Sequence, residues 1–321
     1  MNTDPTPTNM APRPRVAVLG AGTMGAAMAR RLLAADFVVD VWDRTPTAVD
    51  RLADKGAGAH TDVRAAVAGA DVVLTVLPTG DAVTEVMLSA GALDAMRLGA
   101  VWAQMGTIGA GATDRLGGEV LARRPDIRFV DAPVSGSREP AETGQLLVLA
   151  SGPDGVEETL TPVFAALGRR SLWLGAAGAG SRMKLVLNTW LAFQVEGAAE
   201  CAALADGLGV PHPGLLEALA GGPLASGLAL AKLAKIDSGD YRADFSLQWA
   251  LKDLDLAGDA AGEDVIPIAF AIAERWRLLV QQDLGHLDIS AVRLGLGAQW
   301  PTTVATASSP SGVAVNATGP E

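Results

Sequence analysis

The sequence predicts a doubly wound parallel α/β sheet followed by an all-α domain. Short apolar runs alternate with helical segments through the first half of the chain, and a glycine-rich turn follows the first run. Near residue 178 the alternation stops, and helical spacing dominates the remainder. Strands that alternate with helices form a parallel sheet, because each connection must cross back over the sheet before the next strand begins.

The predicted strands are short and rich in β-branched residues, as buried strands of a parallel sheet usually are. The first covers residues 15–19 (RVAVL), a helix follows at residues 26–35, and the second strand covers residues 38–42 (VVDVW). Further strands are predicted at residues 71–77, 100–105 and 128–131, with residues 146–151 and 171–174 at the far edge of the same sheet.

The second half begins with a long helix. Residues 181–208 carry uninterrupted helical spacing, which corresponds to a helix of about 40 Å. Cys201 lies on it, and as the only cysteine of the chain we expect it to be a small buried core residue.

The tail, residues 302–321, has few large apolar side chains, so we predict that it is disordered. The predicted segments are a disordered N-terminus (1–14), an α/β domain (15–177), an all-α domain (178–301) and a disordered tail (302–321).

Charge excludes several classes of partner. The 321 residues include 25 Lys and Arg against 36 Asp and Glu, a formal net charge of -11. Nucleic acids and anionic membranes require a basic face, so we expect neither as a partner. No secretory signal or apolar run of membrane-spanning length is present, which predicts a cytoplasmic protein. The three histidines are scattered, so we predict no metal site.

The glycine-rich turn predicts a dinucleotide site of the Rossmann type. It matches G-x-G-x-x-G and consists of Gly20, Ala21, Gly22, Thr23, Met24 and Gly25. It follows a predicted strand and opens a predicted helix, whose N-terminal N–H groups and dipole favour phosphates. Asp43 ends the second strand 18 residues past Gly25, where an acid that binds the ribose is expected. The alternative is a glycine-rich turn without a ligand.

The choice between NAD and NADP stays open. Asp43 can accept hydrogen bonds from the 2′-OH of NAD and repels a 2′-phosphate, whereas Arg44 directly after it can bind that phosphate. We therefore predict NAD(P) as the cofactor without a preference.

Lys184 and Asn188 are candidate catalytic residues. They are four residues apart on the long predicted helix, so they share a face, and apolar residues surround them in the sequence. Burial disfavours the charged form of a lysine and lowers its pKa, which suits a group that exchanges a proton with a substrate hydroxyl. The alternative is a lysine that reaches solvent beside an exposed asparagine.

Ser135 and Gly136 follow an apparent strand end. A hydroxyl and backbone N–H groups there suit a substrate carboxylate, because ligands of α/β sheets bind at the carboxyl ends of the strands. An ordinary Ser-Gly turn is the alternative.

Taken in order, the motifs of residues 15–297 resemble the 3-hydroxyisobutyrate dehydrogenase-like (β-hydroxyacid dehydrogenase) family. The motifs are GAGTMG, Leu77-Pro78, the GTIG segment with Thr107, DAPVSGS, AETGQL, KLVLN and LKDLDLA. Each motif is common alone, but the ordered set is specific. The resemblance implies hydride transfer between a nicotinamide and a small 3-hydroxy acid or its semialdehyde.

The resemblance also implies roles for individual residues. Lys184 is the expected acid/base with Asn188 beside it, Ser135 and Gly136 bind the substrate carboxylate, and Thr107 lies near the nicotinamide ribose. Lys252 and Asp253 are expected at the cleft between the domains. A homodimer or homotetramer built through the helical domain is implied as well.

Two departures concern the substrate end of the site: Ser137 stands where the family more often has glycine, and Gly106 where it often has serine. Among relatives, 6-phosphogluconate dehydrogenase has a glutamate three residues after the asparagine, where this chain has Leu191. Imine reductases share the architecture but usually replace the lysine. They remain one alternative, and a dinucleotide-binding protein without catalysis is another.

Overall fold

The structure is a computed structural model that describes residues 13–297. The predicted disordered tail, residues 302–321, and residues 1–12 of the predicted disordered N-terminus, residues 1–14, lie outside the described part of the chain. The fold class is as predicted, with a parallel α/β sheet first and a helical region after it.

The first sheet has six parallel strands in the order β3-β2-β1-β4-β5-β6. Its central strands alternate buried side chains between two apolar clusters, one on each face, as expected for a sheet covered on both sides. The strands are β1 Val16–Leu19, β2 Val39–Trp42, β3 Gly58–His60, β4 Val72–Thr75, β5 Val101–Gln104 and β6 Arg128–Asp131. Strand β3 was not predicted, because its three residues contain no apolar run.

Helices connect these strands and cover both faces. The longest are α1, which follows the glycine-rich turn, and α6, which precedes β6. They are α1 Thr23–Ala34, α2 Pro46–Ala53, α3 Val63–Val67, α4 Gly80–Thr84, α5 Ala92–Ala95, α6 Ala110–Arg123, α7 Arg138–Thr143 and α8 Glu157–Leu167, with a π-helical turn at Glu85–Ser89.

A separate three-stranded sheet corrects one prediction. Strands β7 Val134–Ser135, β8 Leu146–Ala150 and β9 Gly168–Trp173 pair with one another and do not extend the six-stranded sheet. Ser151, the residue after β8, forms an isolated antiparallel bridge with Asp131 at the end of β6. Because β8 runs opposite to β6 at that point, the parallel ladder ends there.

The helical region is organised around α9. This helix covers Ala179–Leu208, close to the predicted range, and α12, α13 and the last turn pack against it. The later elements are α10 His212–Leu219, α11 Gly227–Ser238, α12 Leu247–Ala261, α13 Pro267–Leu279, a kinked π-helical turn Val280–Leu284 and a 3₁₀ turn Ile289–Gly295. Among residues 13–297, no helix is both long and apolar enough to cross a membrane.

The expectation that Cys201 is buried was wrong. Its side chain is exposed on α9. The inward face of α9 at this level is formed by Ala198, Ala202 and Ala205, which are three or four residues apart and buried. Cys201 lies beside Ala202 in the sequence, so the helix turns it about 100° away from that face.

Candidate active site

The glycine-rich turn is built so that two of its glycines cannot carry side chains. Gly20 has φ +105°, and a Cβ there would lie 2.5 Å from the carbonyl oxygen of Val76. A Cβ on Gly25 would lie 1.9 Å from the carbonyl oxygen of Gly20. Glycine at both positions lets the turn close tightly between β1 and β4 and lets α1 approach the turn.

The middle of the turn fits a pyrophosphate. Gly22 precedes the first residue of α1 and offers no side-chain cap, while space on its Cβ side is open. Thr23 and Met24 follow as the first residues of the helix, where backbone N–H groups lack intrahelical partners. An anion can accept from these groups at the positive end of the helix dipole, so the residues suit a dinucleotide.

Asp43 and Arg44 lie at the carboxyl end of β2, next to this turn. One carboxylate oxygen of Asp43 accepts from the backbone N–H of Ala21 at 2.7 Å, and the other from Thr45 N–H at 2.8 Å. Asp43 therefore braces the glycine-rich turn in addition to any contact with a ribose. Arg44 is exposed beside it.

Leu77, Pro78, Gly106 and Thr107 lie past the ends of the neighbouring strands β4 and β5. A Cβ on Gly106 would lie 2.4 Å from the carbonyl oxygen of Leu77. This explains the glycine where the family often has serine: in this backbone conformation the two segments are too close for a side chain. Gln104 holds Gly106 by accepting from its N–H at 3.1 Å and donating to its carbonyl at 2.7 Å.

Lys184 and Asn188 lie on the buried face of α9. Lys184 is 8% exposed and Asn188 is 6% exposed, so neither occupies the solvated stripe that the sequence left open as an alternative. Burial lowers the pKa of Lys184 to about 8; Asp253 raises it in part and Lys252 lowers it further. Lys184 therefore changes its protonation state close to physiological pH.

Lys252 and Asp253 on α12 connect this pair to the α/β region. Lys252 Nζ donates to the carbonyl oxygen of Thr107 and lies 2.9 Å from Asp253 Oδ1. Asn188 Nδ2 donates to Asp253 Oδ2. Asp253 is buried. It links the side chain of Asn188 on α9 to Lys252, whose contact with Thr107 holds the loop after β5. Sequence reasoning had placed Asp253 at the cleft without giving it this function.

Ser135 and Gly136 lie at the end of β7, which packs beside α9. Gly136 has φ +136°, and a Cβ there would lie 2.8 Å from Leu146 Cδ2, so this turn requires glycine. Ser137 has negative φ and precedes the first residue of α7, a position that tolerates a side chain. Serine at position 137, where the family more often has glycine, therefore does not strain the backbone of the turn.

One buried acid was missed. Asp131 ends β6, is fully buried, and hydrogen-bonds the first turn of α9. Its only sequence signal is its position as the first residue of the DAPVSGS motif. Within the described residues, no three His, Cys, Asp or Glu side chains are grouped as a metal ion requires.

Two family matches cover most of the chain. Residues 15–175 match the NAD binding domain of 6-phosphogluconate dehydrogenase. Residues 178–294 match the family described as NAD-binding of NADP-dependent 3-hydroxyisobutyrate dehydrogenase.

Individual relatives agree with these matches. Glyoxylate/succinic semialdehyde reductase 1 of Arabidopsis thaliana is 32% identical over 86% of this chain and 96% of its own length. Cytokine-like nuclear factor N-PAC of Xenopus tropicalis is 31% identical over 87% of this chain, which spans 52% of that protein.

A solved structure of Mycobacterium tuberculosis 3-hydroxyisobutyrate dehydrogenase, described with L-serine, is similar to this chain. It has 30% identity and a TM-score of 0.81, and the match covers 89% of this chain and all of that one. With the ordered motifs, the glycine-rich turn and the buried lysine in place, the chain belongs to the 3-hydroxyisobutyrate dehydrogenase-like family of NAD(P)-dependent oxidoreductases.

Proposed function

We propose that this chain transfers a hydride between NAD(P) and a small 3-hydroxy acid or its semialdehyde, with Lys184 as the acid/base. The observation that carries the proposal is the buried Lys184, whose lowered pKa lets it exchange a proton near neutral pH. We further propose that residues 15–177 bind the cofactor and that residues 178–301 contribute the acid/base.

The residues divide the work of one proton transfer. A bound NAD(P), held by the glycine-rich turn and Asp43, would supply the hydride acceptor for oxidation and the hydride donor for reduction. In oxidation, neutral Lys184 accepts the hydroxyl proton as the carbonyl forms; in reduction, protonated Lys184 returns it. Asn188, held by Asp253, orients the hydroxyl or the lysine.

The substrate class is supported by the chemistry that the relatives' names share. Glyoxylate, succinic semialdehyde, 3-hydroxyisobutyrate and serine each combine a carboxylate with a nearby carbonyl or hydroxyl. We propose that Ser135 and the Gly136 N–H bind the carboxylate, with Lys252 as the further candidate for this contact.

A substrate panel tests the proposal against its alternatives. Short 3-hydroxy acids, semialdehydes and cyclic imines are offered with each cofactor, and NAD(P)H absorbance is followed. We expect turnover of the hydroxy acids or semialdehydes. Turnover of imines alone favours an imine reductase. Cofactor binding without turnover of any substrate favours a dinucleotide-binding protein without catalysis. The similarity to a nuclear factor is the reason for testing this alternative.

Ser135→Ala is expected to lower kcat/KM about 10- to 100-fold on a carboxylate substrate, because a hydrogen bond to a charged group contributes about 1.5–3 kcal/mol. An uncharged aldehyde of the same size should lose much less. Steady-state kinetics on the two substrates make the comparison. Equal losses on both substrates would indicate that Ser135 acts on the cofactor or on the fold. No loss on either would indicate that the carboxylate binds elsewhere.

Asp43→Ala is expected to weaken NAD more than NADP. The substitution removes an acceptor for the ribose 2′-OH and relieves repulsion of a 2′-phosphate. Loss of the contact with Ala21 loosens the turn for both cofactors. Arg44→Ala is the matched variant and should weaken NADP alone. Dissociation constants of both cofactors are measured for each variant; equal weakening by Asp43→Ala would limit Asp43 to bracing the turn.

We propose that the chain assembles as a homodimer or homotetramer through its helical region. Met183, Val186 and Trp190 are exposed at helical spacing on the outer side of α9, where a second copy could cover them. Sedimentation velocity across a range of concentrations measures the assembly, and a monomer at all of them would contradict it.

A further inference from the structure

The long helix α9 lacks an N-terminal cap of its own. The residue before its first turn is Gly178, which has no side chain to accept from the helix N–H groups. Ser, Thr, Asp or Asn is preferred at this position because its side-chain oxygen can accept from the second or third N–H of the first turn. The acceptors for α9 come instead from the strands on which the helix stands.

Asp131 and Ser151 supply these acceptors. Asp131 Oδ2 accepts from the backbone N–H of Ser181 at 2.7 Å, and Asp131 Oδ1 accepts from the Ser181 hydroxyl at 2.7 Å. Ser151 Oγ accepts from Gly180 N–H at 2.9 Å. A Cβ on Gly180 would lie 2.2 Å from the carbonyl oxygen of Leu149, so the first turn of α9 lies directly against the strands.

The contact is buried and charged. Asp131 is fully buried at the positive end of the α9 dipole, where a carboxylate is favoured. Burial raises the pKa of Asp131, and the hydrogen bonds from Ser181 and Ser151 oppose the rise. The Ser181 hydroxyl also lies 3.0 Å from Thr113 Oγ1 on α6, so the network reaches a second element.

The contact between Asp131 and Ser181 lies close in the chain to two parts of the proposed site. Lys184 lies three residues past Ser181, on the next turn and the same buried face of α9. Ser135 lies four residues past Asp131 along the chain, at the end of β7. We propose that Asp131 is a positioning residue that holds Lys184 in register with the carboxylate site of Ser135 and Gly136; this rests on the function proposed above.

Asp131→Ala is expected to lower kcat about 100-fold, because a displacement of about 1 Å in a catalytic group costs about that much. Binding of NAD(P) should be unchanged, since the hydrogen bonds of the Asp131 carboxylate are to Ser181 and Ser151 and not to the glycine-rich turn. As the first turn frays, water reaches Lys184, and the midpoint of kcat against pH should move from about 8 toward 10.5. Lys252 and Asp253, which act on that pKa from α12, are unaltered in the variant.

Asp131→Asn is the matched control. Asparagine keeps an oxygen for Ser181 N–H and can donate to the Ser181 hydroxyl, so most of kcat and the pH midpoint should return. If Asp131→Ala does not fold, Ser181→Ala decides: it removes one of the two contacts and should shift kcat and the midpoint in the same directions by smaller amounts.

An Asn variant as slow as the Ala variant overturns the proposal, as does an unchanged midpoint in Asp131→Ala or, where that variant does not fold, in Ser181→Ala. Lys184→Ala is measured in parallel to separate the two hypotheses. If Lys184→Ala keeps its turnover, the proposed function fails. If it loses turnover while Asp131→Ala matches the unmodified chain, only the positioning role fails.

Discussion

Lys184→Ala is expected to lose about 10²–10⁴-fold in kcat, the range that a positioned acid/base contributes. The substitution removes the only proton carrier that the proposal assigns to the substrate oxygen. Binding of NAD(P) should be retained, because the glycine-rich turn and Asp43 lie on other elements. Single-turnover kinetics and a cofactor titration measure the two properties separately.

Lys55→Ala is the control for removing a lysine. Lys55 is exposed after α2, outside the proposed site, and its loss should leave kcat unchanged. Turnover of Lys184→Ala within a few-fold of that control would remove Lys184 from the mechanism.

The pH dependence should have opposite sign in the two directions. Oxidation needs Lys184 as a neutral base. With a pKa of about 8, Lys184 is mostly neutral only when the pH is above that value. Oxidation should therefore accelerate as pH rises through about 8, whereas reduction, which needs the protonated lysine, should slow over the same interval. Initial rates in both directions across this interval check the assignment, and parallel profiles would contradict it.

Asp288→Asn is expected to destabilise the chain by about 3–5 kcal/mol, because it leaves a buried ammonium without its counterion. Lys232 Nζ lies 2.8 and 3.0 Å from the two carboxylate oxygens of Asp288, and both side chains are buried. The same carboxylate accepts from the Ser290 N–H at 3.1 Å and the Asp244 N–H at 3.1 Å. Asp288 therefore joins α11 to the last 3₁₀ turn.

Chemical denaturation measures this loss against two comparisons. Asp240→Asn breaks the exposed pair with Arg242 and should change stability little, since solvent screens such pairs. Lys232→Met combined with Asp288→Asn should be less destabilising than the sum of the single changes, because no charge is left buried. A loss in Asp288→Asn no larger than in Asp240→Asn would show that the buried pair is not a stabilising contact.

At acid pH the free energies of unfolding of Asp288→Asn and of the unmodified chain should become more similar. Burial raises the pKa of Asp288, but hydrogen bonds from Lys232 and Ser290 outweigh it and hold the pKa below its ordinary value. The carboxylate therefore stabilises the fold above the unfolded pKa, and this contribution disappears as pH falls through the lower folded value.

Local patterns in the sequence were sufficient for the fold class and for part of the site. Strand and helix periodicity predicted the parallel sheet and the long helix within a few residues. The G-x-G-x-x-G turn was identified from its place between a strand and a helix. Four-residue spacing placed Lys184 and Asn188 on one face, because helix geometry alone decides which residues share a face.

Only the tertiary structure decided which face was buried and what held it. The outward position of Cys201, the separate sheet of β7, β8 and β9, and the link from Lys252 to Thr107 depend on contacts between residues far apart in the chain. Asp131 shows the reason most clearly. Its place at the start of the DAPVSGS motif does not reveal its partner. The function proposed for it arises because α9, 50 residues later, begins against it with a glycine at the N-cap position.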